Sequence, residues 1–118
     1  MSKIDYKRAG VDINAGNDAV DRIKKSVTST FTPNVLKGLG SFGSLFSLKN
    51  ILKDYNDPVL VQSIDGVGTK TIVAKKLKKF DTIGIDLLSA CANDILVMGA
   101  KPLTFLDYIA SEKLNPSI

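Results

Sequence analysis

The sequence predicts an α/β domain of the α+β kind, and two observations carry this prediction. Two runs rich in β-branched and aromatic residues, PVLVQSI (58–64) and LTFLDYIA (103–110), have the composition of strands. Between them, apolar residues recur at helical spacing after Thr69 and again after Asp81. The order in this part of the chain is therefore strand, helix, helix, strand.

The first half of the chain is predicted to hold an arm, a helix and a loop. Residues 1–16 are polar and read as an arm. Asn17 is a good helix cap, and apolar residues then recur at helical spacing as far as Phe31, before Pro33. GLGSFG (38–43) is rich enough in glycine to form a flexible loop. The predicted division is 1–57 for arm, helix and loop, and 58–118 for the core.

The two helices of the core have recognisable ends. Thr69 is the predicted cap of the first helix and Asp81 of the second, and Gly99 is the predicted stop of the second. The second helix is expected to pack through an apolar stripe made of Leu88, Cys91, Ile95 and Met98.

Charge and size limit the partners that the chain can have. With 118 residues it is long enough for one small domain, and its net charge is +4. The lysine runs are typical of solvated helix faces. The chain lacks Trp and any interleaved basic and aromatic residues, so we expect no nucleic-acid partner. An RNA-binding basic domain stays as the least favoured alternative, and steep salt dependence of binding would reveal it.

The absence of histidine excludes several kinds of chemistry. Without His, the chain has no Ser-His-Asp triad and no His metal ligand, so a metal would be held by oxygens, which indicates magnesium rather than zinc. The single cysteine, Cys91, excludes an internal disulfide and fits a reducing compartment. No signal core and no membrane-length apolar run is present, so we expect a cytoplasmic protein without a membrane partner.

The segment DGVGTK (65–70) is the first candidate site. Its glycines allow the backbone to approach a bound group, with N–H groups facing phosphate oxygens, while Lys70 adds a positive charge and Thr69 a hydroxyl. It is not a Walker A loop. A tight turn followed by a helix cap explains the same residues, so both interpretations stay open.

The loop at residues 38–43 has the spacing G-x-G-x-x-G but lacks the preceding strand and following helix of a dinucleotide-binding fingerprint. It is either a flexible flap over phosphates, formed by Gly38, Gly40 and Gly43, or a plain surface loop.

Polar residues within the apolar second helix are candidate ligands. Asp86 and Asn93 share a face of this helix, and Asp94 is turned away from Asn93. Because burying them unpaired is costly, they point either to solvent or to a charged ligand. Asp65 and Asp94 would make a magnesium pair that leaves room for water ligands. Asp107, in the second predicted strand, faces either a site or solvent.

At these motifs the chain resembles the aminoimidazole ribonucleotide (AIR) synthetase family, the phosphoribosylformylglycinamidine cyclo-ligases. The resemblance covers nearly the whole chain, and its stretches are specific together although each is weak alone. They are YKRAGVDINAGN (6–17), GLGSFG (38–43), DGVGTK (65–70), DTIGIDLLSACANDILVMGAKP (81–102) and FLDYIASEKL (105–114).

The resemblance implies a fold and an activity. It implies an ATP-binding N-terminal domain with a mixed sheet and helices packed on one face, whose sheet pairs across a homodimer. It implies ATP and Mg²⁺ as cofactors and formylglycinamidine ribonucleotide as the small-molecule substrate. ATP activates the formyl oxygen, a nitrogen closes the imidazole ring, and ADP and phosphate leave. Such phosphoryl transfer needs positioned cations and backbone donors more than a histidine.

Site residues follow from the resemblance position by position. Asp65 and Asp94 are expected to hold magnesium, and no residue is assigned to bond making. Asp86 and Asp107 are secondary candidates. The residues expected to contact the nucleotide are Gly38, Gly40, Gly43, Asp65, Gly66, Gly68, Thr69, Lys70, Asn93 and Asp94.

Length is the departure from the family. Its members continue well beyond 118 residues into a C-terminal domain, so we expect this chain to be a truncated N-terminal domain that is inactive alone.

Two other readings compete with the cyclo-ligase. A related enzyme, such as a thiamine-monophosphate kinase, shares the ATP-binding architecture, whereas a selenophosphate synthetase would need a reactive cysteine near its N-terminus, and here the only one is Cys91. The second alternative is a dimerisation module without catalytic activity. The intact DGVGTK segment and the Asn93–Asp94 pair disfavour this alternative.

Overall fold

The computed structural model describes residues 5–40 and 42–118 and confirms a mixed α/β composition. Within these residues, the helices are α1 (Ile13–Thr28), α2 (Lys70–Leu77) and α3 (Ile83–Leu96). The strands are β1 (Val35–Lys37) and β2 (Leu45–Phe46), and one 3₁₀ turn covers Leu52–Asp54. None of the helices in the described part is long and apolar enough to span a bilayer.

The chain divides into two compact units. The first, which we call the hairpin unit, runs to Asn56 and also includes Tyr108–Ile118. It contains α1 and the two strands. The second, the helical unit, is Asp57–Asp107 and contains α2 and α3.

Helix α1 begins earlier than the sequence predicted. Its N-cap is Asp12, whose carboxylate accepts hydrogen bonds from the backbone N–H groups of Asn14 (3.1 Å) and Ala15 (3.2 Å). The prediction of Asn17 as the cap was wrong because Asp12 is an equally good cap, and Gly16 is tolerated in the first turn. The arm is thus shorter than residues 1–16, and its residues 1–4 lie outside the described residues.

The C-terminal end of α1 also differs from the prediction. The helix ends at Thr28, so Phe31 lies beyond it. The hydroxyl groups of Thr28, Ser29 and Thr30 donate hydrogen bonds to backbone carbonyls three or four residues back. Such local bonds compete with helix continuation, which explains the earlier end.

The glycine-rich loop at residues 38–43 connects the strands of a hairpin. Strands β1 and β2 pair antiparallel, with Val35 opposite Phe46 and Lys37 opposite Leu45. Within the loop, Gly40 has a φ of 95°, a conformation that favours glycine. Gly38 lies against the ring of Phe31, where a Cβ atom would overlap the ring. Ser41 lies outside the described residues.

Both strands predicted for the core were wrong. Residues 58–64 and 103–110 have no strand assignment, and no backbone hydrogen bond joins either run to another described segment. β-branched composition favours an extended backbone, but a strand also needs a neighbour for its N–H and C=O groups. Several of the side chains are exposed, with Ile64 at 95% and Leu106 at 81%.

Helices α2 and α3 lie in contact and lack the predicted side-chain caps. Thr69 occupies the N-cap position of α2, but its side chain makes no capping hydrogen bond. The N-cap of α3 is Thr82 rather than Asp81, again without a side-chain bond. Gly99 has a φ of 72°, and its N–H bonds to the carbonyl of Leu96 at 2.8 Å, which confirms the predicted stop.

Little of the described chain is buried. Ala74 in α2 is the only buried apolar residue among those described, at 8% exposure. In the predicted stripe of α3, Cys91 and Ile95 are half-buried, but Leu88 and Met98 are exposed, so that prediction was only partly right. Large apolar side chains exposed in such number are typical of surfaces that contact a partner.

Replacing Asp12 by Ala is expected to shorten α1. Hydrogen bonding from the Ala15 N–H, aided by Lys7, holds the pKa of Asp12 below its ordinary value of 3.8. A lowered folded-state pKa means that the stabilisation is complete above the unfolded value and is lost as pH falls through the folded one. Helical circular dichroism should fall in Asp12→Ala at pH 7 and in the wild type only in acid. Equal acid titrations of both proteins would contradict this.

Two glycine substitutions in the helical unit should have opposite effects. Gly99→Ala places a Cβ atom at a φ of 72° and should reduce the free energy of unfolding by about 1 kcal/mol. Gly84→Ala, within α3 and with no atom near its added Cβ, should increase it by about 0.5 kcal/mol. Urea unfolding followed by circular dichroism measures both. Shifts of the same sign would contradict the assigned helix end.

Candidate functional site

The glycine-rich turn before α2 has an unusual backbone. Val67 has a φ of 61° and Gly68 a φ of 52°. A β-branched residue in the left-handed region is strained, and such strain concentrates at functional sites. The Asp65 carboxylate accepts a hydrogen bond from the Val67 N–H, which holds the turn in place. One oxygen of Asp65 is therefore used within the turn.

The start of α2 has no side-chain cap, although backbone carbonyls accept from two of its N–H groups: Lys70 N–H bonds to Val67 at 3.3 Å and Ile72 N–H to Thr69 at 3.1 Å. No side chain caps the helix at Thr69, while the hydroxyl of Thr71 donates to the carbonyl of Gly68 at 2.9 Å. The N–H groups in the first turn of a helix attract anions because they lack partners within the helix and lie at the positive end of its dipole. In α2 the positive end of the helix dipole therefore favours an anion at this turn, more than free N–H groups do.

An ion pair crosses from α2 to α3. The Lys70 Nζ atom lies 2.7 Å from Oδ1 of Asp86, and the two side chains are 62% and 39% exposed. Lys70 is the first residue of α2, and Asp86 lies in the first turn of α3. Exposed pairs contribute little to stability, so its main effect is on where the ammonium group lies.

These residues surround an open groove of about 340 Å³ in the helical unit. Three ionisable side chains line it: one ammonium group and two carboxylates. The groove therefore offers one cation, already paired, and a formal charge of −1 from these groups. Its lining residues are Asp65, Val67, Gly68, Thr69, Lys70, Asp86 and Ala90.

A second contact links the residues before the turn to α3. The hydroxyl of Ser63 donates to Oδ2 of Asp94 at 2.9 Å, although 31 residues separate them. Sequence reasoning missed Ser63. The signal was present, because it is a small polar residue in the apolar run that leads to Asp65.

The donor set suits a hard cation. Within residues 5–40 and 42–118, no group of three or more Asp, Glu, Cys or His side chains is close enough to hold a metal ion. Carboxylate and hydroxyl oxygens are nonetheless the donors that magnesium prefers, and magnesium keeps several of its water ligands. Asp65 and Asp94 each carry such oxygens, but only Asp65 lines the groove.

The structure brings together some of the predicted site residues. Asp65, Gly68, Thr69 and Lys70 line the groove, and Gly66 belongs to the same turn. Asn93 and Asp94 are exposed on α3 and do not line it. Asp107 is exposed at the end of the helical unit. The remaining predicted residues, Gly38, Gly40 and Gly43, belong to the hairpin unit.

Comparison with known proteins gives consistent matches. The family described as AIR synthase related protein, N-terminal domain, matches residues 50–118. The phosphoribosylformylglycinamidine cyclo-ligase of Carboxydothermus hydrogenoformans is 57% identical over 116 residues, which are 98% of this chain and 33% of the relative. That of Brevibacillus brevis is 55% identical over 111 residues, covering 94% and 32%. That of Xylella fastidiosa is 56% identical over 110 residues, covering 93% and 30%.

The chain spans about a third of the length of these curated relatives. The family match covers more than half of the chain, and it includes the glycine turn, α2 and α3. The chain therefore belongs to the family of AIR synthase related proteins, and the part of the family that it matches is the N-terminal domain.

Proposed function

We propose that the chain is the N-terminal part of an ATP-dependent cyclo-ligase that converts formylglycinamidine ribonucleotide to aminoimidazole ribonucleotide in purine biosynthesis. The groove beside the glycine turn is its phosphate site. One observation carries the proposal: the Lys70 ammonium group lies between an uncapped helix start and α3, beside a strained glycine turn. The names of the relatives support the choice of reaction.

The residues around the groove would bind the phosphates of ATP. The backbone N–H groups of Gly66 and Gly68 are donors of the kind that bind phosphate oxygens, and the positive end of the α2 dipole adds to the attraction. Lys70 adds a movable positive charge, and Thr69 adds a hydroxyl group that no capping bond occupies. Phosphoryl transfer depends mostly on such positioning and charge stabilisation.

Magnesium would be held by Asp65 and Asp94. The Ser63 hydroxyl, which donates to Asp94, would keep that carboxylate oriented and leave its other oxygen for the ion or its waters. Bound with ATP, magnesium would neutralise phosphate charge during transfer. Asn93, next to Asp94 on the exposed side of α3, would donate to the nucleotide.

The hairpin loop is a second proposed phosphate-binding segment, as the resemblance to the family implies. Gly38, Gly40 and Gly43 lie in the connection between β1 and β2, and the positive φ of Gly40 supports a loop whose backbone reaches toward a ligand.

In the proposed reaction, the formyl oxygen of the substrate would take the γ-phosphoryl group, and ring closure by a nitrogen would expel phosphate. ADP is the other product.

Homodimer formation through the sheet is also part of the proposal. Residues 58–64 and 103–110 are apolar and lack strand partners within the described chain, so a second copy would supply the missing hydrogen bonds and cover their side chains. A dimerisation module without nucleotide binding is the alternative, and the next measurement separates the two.

Calorimetric titration of Mg-ATP into the purified chain should show saturable binding. Asp94→Ala should reduce the affinity at least about tenfold, because removing one carboxylate ligand weakens a magnesium site strongly. Asp81→Ala, which changes the charge equally outside the groove, should bind as the wild type does. Binding that is equally strong in Asp94→Ala would remove Asp94 from the site. No binding by a folded, dimeric wild type would favour the dimerisation module.

Lys70→Met should separate binding from stability. The variant should lose Mg-ATP binding, because it removes the only ammonium group that lines the groove in the described chain. Its free energy of unfolding should change by less than about 1 kcal/mol, because the ion pair with Asp86 is exposed. Lys76→Met, on α2 but outside the groove, is the matched control. Parallel losses of binding in both variants would contradict a specific role for Lys70.

A further inference from the structure

The charges that line the groove do not suit a free polyphosphate. Among the described residues, Lys70 is the one cation that lines it, and Asp86 already holds the ammonium group at 2.7 Å. Asp65 adds a second carboxylate to the same lining. An incoming phosphate must displace Asp86 from Lys70 or share the ammonium group with it, and in both cases it lies beside two carboxylates, which repel it.

A polyphosphate that carries its own divalent cation has different electrostatic interactions with the groove. Its cation offsets the negative charge of Asp65 and Asp86, so the repulsion between these carboxylates and the phosphate falls. The Lys70–Asp86 pair is exposed and adds little stability, so the protein would lose little by opening it. Opening of the Lys70–Asp86 ion pair is thus favourable only when the phosphate arrives together with its cation.

We propose that Asp86 is a specificity-determining residue that makes the groove select cation-complexed nucleoside triphosphate over the free form. This inference rests on the proposed function, because it concerns the same phosphate groove. Asp86 acts by occupying Lys70 in the ligand-free protein and by repelling phosphate that arrives without a cation. Asp65 shares the repulsion, but its carboxylate is bound within the turn by the Val67 N–H.

The test compares two dissociation constants for each protein, measured by calorimetry with Mg-ATP and with ATP in EDTA. In Asp86→Asn, affinity for ATP in EDTA should rise roughly fivefold, the effect expected when one partly exposed charge is removed. Mg-ATP should bind no more tightly than to the wild type, so the ratio of the two constants shrinks. Asp86→Glu should keep the wild-type ratio, and Asp81→Asn, outside the groove, should leave it unchanged.

Asp86→Ser is the second variant, and it should shrink the ratio of the two dissociation constants in the same way. Far-ultraviolet circular dichroism checks that each variant keeps its helices. Wild-type binding of Mg-ATP with an unchanged ratio in both Asp86→Asn and Asp86→Ser overturns this inference alone. Equal weakening of both ligands also overturns it, since that is what a structural role predicts. A wild type that does not bind Mg-ATP overturns the proposed function and this inference with it.

Discussion

The ion pair between Lys70 and Asp86 is the contact on which the helical unit depends for its site. Only Ala74 is buried among the described residues, so apolar packing between α2 and α3 is slight. Two polar contacts therefore join the turn region to α3: this pair, and the hydrogen bond from Ser63 to Asp94. Each connects residues far apart in the chain, and together they fix which carboxylates stand near the glycine turn.

In the proposed function, this arrangement is what would bind phosphate in a chain without histidine. The N–H groups of Gly66 and Gly68, the positive end of the α2 dipole and the Lys70 ammonium group would together attract it. Because Asp86 shares that lysine, the groove is nearly balanced in charge and not strongly basic. The net charge of the whole chain, +4, therefore says little about the groove, since the charged side chains that line the groove sum to a negative charge.

Helices were predictable from the sequence, and strands were not. Apolar periodicity located α2 and α3 because it depends only on residues a few positions apart. The ends of helices were harder to predict: Asp12 and Asn17 are equally good caps for α1, and the chain uses Asp12. The run at residues 58–64 has a strand's composition, but hydrogen-bonding partners decide strand formation, and no described segment supplies them.

The sequence by itself determined the family and the glycine turn at DGVGTK, and its lack of histidine excluded a histidine ligand or a Ser-His-Asp triad. It identified Asp65 and Lys70 because their motif is local. The tertiary structure alone decided that Asp86 holds Lys70 and that Ser63 holds Asp94, since 16 and 31 residues separate these partners. Helical spacing fixes the face on which a side chain lies, but only the packing of one segment against another decides what that face meets.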